Sequence, residues 1–347
     1  MTPSMEMTLR ALEALAGVIL TALALLDVFD TVVAPGASSS LLQVAARTHR
    51  LTLPYWRRRA AAAHGPNRLS RALAPSIFIV TFVVWMSLLV LGFGLIADGL
   101  RSAYAPPIRS FPDALFTAGS SIVTIGESGR DAEGLARWGV LVSGFSGLAV
   151  VTLAITYILA VQGGLRDRDA TIAQLNTTAG RPPSGIALLE TYAALGGGSD
   201  LGDLFRTWRS WASTTLFSHS AFPVLAFFRS VASELDWPLA VGVVLDAAAL
   251  YAAFVDGEHA GAATLLHRDG SRLTAGLGDL FRIPEHEPEP IADADLVALT
   301  ERLAAAGFRV RAGADARSRF VSLRSDYHGR LASLAAHFGV DGLTLER

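Results

Sequence analysis

The residues with the clearest chemical purpose lie between Phe111 and Arg130, in FPDALFTAGSSIVTIGESGR. At its centre Thr124, Ile125, Gly126, Glu127 and Ser128 place hydroxyls, backbone carbonyls, a position without Cβ and a carboxylate in succession. Oxygen ligands of this kind bind hard cations. Ser120 to Ile125 are hydroxylated or β-branched and run into Gly126, a composition that favours extended backbone and then a conformation open to glycine. Extended backbone carries unpaired carbonyls, which at membrane depth are tolerated where they line a water-filled or ion-filled path.

These residues need elements to hold them. Pro112 suits the first turn of a helix and Asp113 favours the positive end of its dipole, so a short helix starts there. The apolar run Ala114 to Ser121 is far shorter than the ~20 residues of a bilayer crossing, and predicts a re-entrant or interfacial helix. On either side lie two charge-free apolar stretches, Ser76 to Ala97 and Trp138 to Val161, each long enough to span.

Ser121 to Ser128 resembles the filter of the potassium-channel superfamily, whose usual form is Thr-Val-Gly-Tyr-Gly; Thr124, Ile125 and Gly126 fit its first three positions. Glu127 stands where Tyr is usual and Ser128 where the second Gly is usual, with Gly129 as that Gly after a one-residue insertion. The resemblance implies four copies of the loop around one path, with carbonyls and the Thr hydroxyl replacing the ion's hydration shell. It also implies an inner helix from Trp138, in which Gly144 and Gly147 are gating-hinge candidates; Ser143 and Gly147 form a small-xxx-small pair suited equally to close packing. With Glu127 in the Tyr position, the permeant ions expected are potassium and sodium. Glu127 either rings the mouth of the path or turns back to Arg130 or to the hydroxyls of Ser120 and Ser121.

A further span runs from about Leu15 to Val33, within which LLDVFDTVVAP resembles the first helix of bacterial potassium-channel family proteins. Asp27 is the membrane-embedded charge of this span. Such a group marks function by default, for instance as the partner of a linker Arg, unless it reaches the headgroups from its place near the span's end. Between Asp30 and Asp98 there is no acidic residue, while Arg47, Arg50, Arg57, Arg58, Arg59, Arg68 and Arg71 precede the second span. This asymmetry against Arg101, Arg109, Arg130 and Arg137 puts the linker in the cytoplasm, with Tyr55 and Trp56 suited to the headgroups. Acids at Glu6 and Glu13 and the lack of a small-residue cleavage site argue against a cleaved signal peptide.

Composition sets the limits. A mean hydropathy of +0.41 with 51 % hydrophobic residues is high for a soluble protein. Cysteine is absent, which excludes disulfides, thiolate metal sites and cysteine nucleophiles. A net charge of −2 argues against nucleic-acid binding. There is no P-loop or dinucleotide fingerprint, and GFSGL at 144–148 lies inside a span and is no nucleophile elbow. His219, Glu234, Asp236, Glu258 and His259 lack ligand spacing, so no metal site and no cofactor is expected.

From Leu165 onward the pattern predicts helices at 166–177, 185–195, 201–218, 238–254, 293–306 and 316–338. Pro238 to Phe254 carries Asp246 and is short, which suits a buried core helix. LGDLFR occurs at 201–206 and 277–282, as two similar helix starts. PEHEPEP, Pro284 to Pro290, reads as a stiff linker. The Arg309, Arg311, Arg317, Arg319, Arg324 and Arg330 cluster reads as a solvated helix face, or as a contact for anionic lipid or an acidic partner.

The fold expected is an all-α membrane protein: three transmembrane helices with a re-entrant pore helix and filter, plus a cytoplasmic helical domain. Its parts are 1–34 (first span), 35–74 (basic cytoplasmic linker), 75–164 (pore module), 165–283 (cytoplasmic helical domain) and 284–347 (acidic linker and C-terminal helical segment). The function expected is a homotetrameric cation channel of the bacterial inner membrane, in contact with the lipid bilayer and not an enzyme. A membrane-anchored sensor or scaffold with a degenerate loop is the alternative.

Overall fold

The computed structural model describes residues 3–34, 42–44, 47–48, 51, 68–126, 128–230, 235–287, 290–311 and 313–340. It is mostly helical. Long apolar sequence first gives α1 (Pro3–Val32) and α2 (Arg68–Gly99). A two-residue strand β1 (Tyr104–Ala105), the 12-residue helix α3 (Phe111–Ile122) and strand β2 (Asp131–Ala132) follow, and then α4 (Leu135–Leu175). The strands pair antiparallel with Tyr104 opposite Ala132, a small ribbon the all-helical expectation did not contain. The third span and the stretch expected at 166–177 are one unbroken helix of 41 residues, about 60 Å long.

The chain divides into two compact units. One holds α1, α2 from Ala72 on, α3 and α4 up to Val161; the other holds α4 from Gln162 and the residues after it. Among the described residues, four helices are long and apolar enough to cross a membrane: the spans within α1, α2 and α4, and a fourth at Trp237–Phe254. Only 28–33 % of the first three windows is buried within the protein, whereas 89 % of the fourth is. The apolar surface of α1, α2 and α4 is therefore left for lipid or another protein chain, and that of the fourth is already used.

In the first unit, α1 and α2 approach through small residues. A side chain on Gly17 would meet Ile96 Cγ1 at 2.8 Å, and one on Gly99 would meet Ala14 Cβ at 2.9 Å. Ala24, Val28, Trp85, Leu89 and Phe93 form the core beside this crossing, joined by Ala118 and Ile122 of α3 and Val150 of α4.

The second unit is a helical bundle made of α5 (Gly185–Ala194), α6 (Leu201–Ala221), α7 (Trp237–Phe254), α8 (Ala260–Phe281), α9 (Asp293–Ala305), α10 (Ala314–Ser325) and α11 (His328–His337). α7 is its centre: apart from Leu239 and Asp246 its residues are buried, and α5, α8, α10 and α11 pack on it. α8 was not among the expected helices, and LGDLFR at 277–282, expected to start a helix, instead lies at the end of this one. The expected 316–338 helix is broken between Ser325 and His328.

The expected pieces 165–283 and 284–347 fall in one compact unit. The His286 amide donates to Ser333 Oγ at 3.1 Å, and Arg330 bridges Asp279 at 3.0 Å and Glu285 at 3.1 Å, so this strap is bound down onto α11 and the end of α8.

Candidate functional site

α3 begins as its sequence dictates. Ser110 has extended backbone and its hydroxyl accepts from the Asp113 amide at 3.4 Å, with Pro112 in the first turn. The other end departs from expectation. The helix continues through Ser120, Ser121 and Ile122, and the chain does not become extended there. The Thr117 hydroxyl donates to the Asp113 carbonyl at 2.9 Å and the Ser121 hydroxyl to the Thr117 carbonyl at 3.1 Å, so the hydroxyls that favour non-helical backbone are satisfied inside the helix.

The helix then closes on itself. The Ile125 amide donates to the Ser120 carbonyl at 2.9 Å and the Thr124 amide to the Ser121 carbonyl at 3.0 Å, the paired bonds of a Schellman cap. Thr124 takes the left-handed position of that cap, φ 60°, where glycine is usual, and Gly126 is also left-handed at φ 73°. In this conformation Thr124, Ile125 and Gly126 are an exposed turn, not an extended row of carbonyls. Ser128 is half-buried and its hydroxyl donates to the Arg130 carbonyl at 3.1 Å; Glu127 lies outside the described residues.

Two glycines of α4 seat the end of α3. A side chain on Gly147 would run into the Ile122 carbonyl, 2.8 Å from its carbon, and one on Gly144 would come to 3.4 Å from the Ser121 carbonyl oxygen. Both residues lie within the single helix α4, Leu135–Leu175, on its side toward the end of α3. Gly94 of α2 likewise receives Leu115. Between these helices, Thr117, Ser121 and Ser143 turn toward a narrow cleft also lined by Tyr104, Phe93 and Gly139.

The chain after the turn is tied down. Arg130 donates to Asp113, the carboxylate in the first turn of α3, at 3.1 Å, a pairing the sequence did not suggest. Beyond it the Glu133 amide donates to the Ala103 carbonyl at 2.8 Å beside the β1–β2 ribbon.

Asp27 is completely buried within the protein. Its carboxylate accepts from the indole N–H of Trp85 on α2 at 2.8 Å and from the Val44 amide at 3.2 and 3.3 Å. A carboxylate inside a protein core requires such donors, and Trp85 was a residue that composition alone did not single out.

In the second unit the residues of metal-ligand type stay apart. No group of three His, Asp or Glu among the described residues could hold a metal ion, and Glu234 lies outside those residues. His219 is fully buried, and its Nδ1–H donates to the Thr215 carbonyl at 2.8 Å. Burial, with the Arg168 charge adding to it, lowers its pKa to about 3. His259 meets the Gly198 carbonyl at 3.1 Å, and Asp236 pairs with Arg229 at 3.1 Å.

Arg168, on the part of α4 in this unit, is 2 % exposed. It donates to the Leu225 and Phe228 carbonyls at 2.9 and 2.8 Å and to Asp169 at 2.9 Å, while Trp211 donates to its carbonyl at 3.1 Å. It is a structural staple that its solvated-looking sequence neighbourhood, RDRD, concealed. The C-terminal Arg cluster is also partly internal. Arg324 is buried 3.5 Å from Asp246, which accepts from the Tyr327 hydroxyl as well, and burial raises the Asp246 pKa against the pull of Arg324. Arg311 donates to the Val255 carbonyl at the end of α7.

No protein-family model, curated protein or solved structure matches this chain.

Proposed function

We propose that this chain is one subunit of a homotetrameric pore-loop cation channel of the bacterial inner membrane, passing potassium and sodium. The observation that carries the reading is α3. At 12 residues, about 18 Å, it is too short to cross a ~30 Å hydrocarbon layer, and it lies in sequence between two helices that are long enough. Its end is seated on α4 by Gly147 and leads into Thr124, Ile125 and Gly126, which resemble the superfamily's filter. Exposure of Val123 at 50 % and Ile125 at 69 % supports a neighbouring subunit as cover, since these side chains gain nothing from water.

On this reading the N-terminus is outside, residues 36 to 74 inside, 98 to 137 outside and the remainder from 165 inside. Four loops meet on the axis, and their carbonyls face an ion in place of water. The Schellman cap is then the form of the unassembled loop. Turning the carbonyls of Thr124 to Gly126 toward the axis breaks its two bonds, each worth about 1 kcal/mol net, a cost that ion coordination can offset. Glu127 adds negative charge at the mouth and favours cations without sorting sodium from potassium.

The closed cap also favours the second reading, a membrane-anchored sensor or scaffold whose loop does not conduct. Ion flux into liposomes containing the pure full-length chain separates the two. Potassium and sodium flux that is lost in Gly126→Ala, with native mass measurement giving a tetramer for both proteins, is the result expected of the channel. A stable monomer or dimer without flux is the result expected of the scaffold.

A further inference from the structure

The pore leaves the last turns of α6 without a role. Within the second unit, Trp211 of α6 donates to the Arg168 carbonyl of α4 at 3.1 Å, and the Arg168 side chain is clamped to the Leu225 and Phe228 carbonyls just after α6. Further along α6, Ser218 lies beside Gly164, where an added side chain would come within 3.9 Å of Ser218 Cβ and 3.1 Å of Leu225 Cδ1. As α6 runs forward from Trp211 to Ser218, its neighbours on α4 run back from Arg168 to Gly164, so the two helices are antiparallel there. α4 is charge-free from Trp138 to Val161, and Gly164 is only three residues, about 4.5 Å of helix, past that stretch. The C-terminal end of α6 therefore points toward the edge of the α4 span. α8 runs beside α6 in the same direction, with Arg209 bonded to Asp269 at 2.6 Å and Leu216 filling the space at Gly276, so its C-terminal end reaches the same level.

The side chains change character along this direction. Exposed residues early in α6 are charged, namely Asp203, Arg206 and Arg209, whereas from Ser210 to Phe222 the one ionisable side chain is the buried His219. At the end nearest the span Phe217 is 76 % exposed and Leu280 of α8 38 %, and Pro223 in the turn after α6 is exposed as well. Arg282 follows, exposed, while the nearby acids Asp279 and Glu285 both pair with Arg330. An apolar tip with a guanidinium at its margin suits a bilayer interface, where the ring lies below the headgroups and the charge among the phosphates.

We propose that this end of the second unit is a lipid-docking surface: Phe217, with Leu280 beside it, enters the bilayer surface from which α4 emerges. Lipid is the occupant because α4 itself carries the face to the edge of its span, so the apolar tip meets the membrane without any further partner. The inference rests on the reading that α4 crosses the bilayer up to Val161, and not on ion conduction.

The absence of cysteine makes the test clean. Phe217→Cys, Leu280→Cys, Ser210→Cys and Val83→Cys are each made in the full-length chain, labelled with an environment-sensitive dye and reconstituted in phosphatidylcholine vesicles. Quenching is read with lipids bearing a nitroxide on the acyl chain, and separately with iodide on both sides of the membrane. Val83, exposed on α2 within a candidate span, reports the crossing itself. Ser210 is exposed on α6 two turns, about 10 Å, before Phe217. The dyes at Phe217, Leu280 and Val83 are expected to lose about half their emission to the nitroxide and little to iodide, and the dye at Ser210 the reverse. Adding Phe217→Glu to Leu280→Cys is expected to reduce its nitroxide quenching about twofold, and unchanged quenching would remove Phe217 as the anchor. Should Phe217→Cys fail to fold, Leu280→Cys alone gives the same reading. Iodide quenching at Phe217 and Leu280, with nitroxide quenching intact at Val83, would place the face in water and overturn the docking while the span stands. Protection from both quenchers would show that protein covers the face, and would overturn it as well. Loss of nitroxide quenching at Val83 too would remove the membrane crossing on which the inference rests.

Discussion

Arg130 reaches back to the carboxylate of Asp113, 3.1 Å away, and so closes the loop between them onto the start of the helix from which it leaves. Asp113 is 39 % exposed at the side chain and Arg130 16 %, so solvent screens the pair and its direct worth is about 0.5 kcal/mol. Asp113→Asn and Arg130→Gln should each lower the thermal midpoint by a degree or so. The double variant should lose no more than either single one. A double-mutant cycle in thermal unfolding measures this, and independent, additive losses would show that the pair is not coupled.

Gly147 and Gly144 should respond differently to the same substitution. An added methyl at Gly147 has to displace the Ile122 carbonyl, and overpacking of this kind costs about 1–3 kcal/mol. At Gly144 the nearest atom is 3.4 Å away, so Gly144→Ala should cost well under 1 kcal/mol and gain a little helix propensity. Thermal unfolding of the two variants in detergent checks the ranking. Equal stability would remove the close approach of α3 and α4 as the reason for Gly147.

Thr124 separates the two forms of its loop. In the Schellman cap it holds a left-handed conformation that costs a residue with a Cβ about 1 kcal/mol relative to glycine. Thr124→Gly should therefore stabilise the capped form by roughly that amount. The same change removes a hydroxyl from the proposed ion path. A raised thermal midpoint together with reduced cation flux is the expected pair of outcomes, and unaltered flux would count against Thr124 as an ion ligand.

The long elements were legible because hydropathy over some twenty residues leaves little choice; Ser76 to Ala97 and Trp138 to Val161 both fall inside observed helices. The short loop was not. β-Branched residues from Ile122 to Ile125 suggested extended chain, but local propensity lost to helix-end carbonyls that needed donors, and the Thr124 and Ile125 amides supplied them. α8 shows a different failure. Its Gly, Arg and Asp content hid a periodic face, Ala263, Leu266, Gly270, Leu273 and Leu277, in which Gly270 leaves room for Leu245 of α7. The break in the 316–338 helix was hidden for a tertiary reason, since Tyr327 turns inward to reach Asp246. Asp27 stood out by type, but its partners, 17 and 58 residues away, are a property of the fold.

His219 should make the second unit sensitive to acid. Its ordinary pKa is 6.5 and burial lowers it to about 3, so the folded protein holds the ring neutral where the unfolded chain would protonate it. The sign follows from which state binds more protons. Above pH 6.5 neither state protonates the ring, and its full contribution to stability is present. As pH falls below 6.5 the unfolded chain takes up a proton that the folded one refuses, and stability drops by up to about 1.4 kcal/mol per pH unit until the folded pKa is approached. Arg168 keeps its charge throughout and contributes to this refusal from within the same core. His219→Phe retains a ring of similar size, forfeits the bond to the Thr215 carbonyl at about 1 kcal/mol, and cannot titrate. The variant should thus be somewhat less stable than the unchanged protein at pH 8 and more stable at pH 5. Burial also raises the pKa values of Asp236 and Asp246, so the difference between the two proteins is the quantity to follow. Thermal midpoints at pH 8, 6.5 and 5 supply it. Parallel curves without a crossing would mean that His219 is protonated as readily in the fold as outside it.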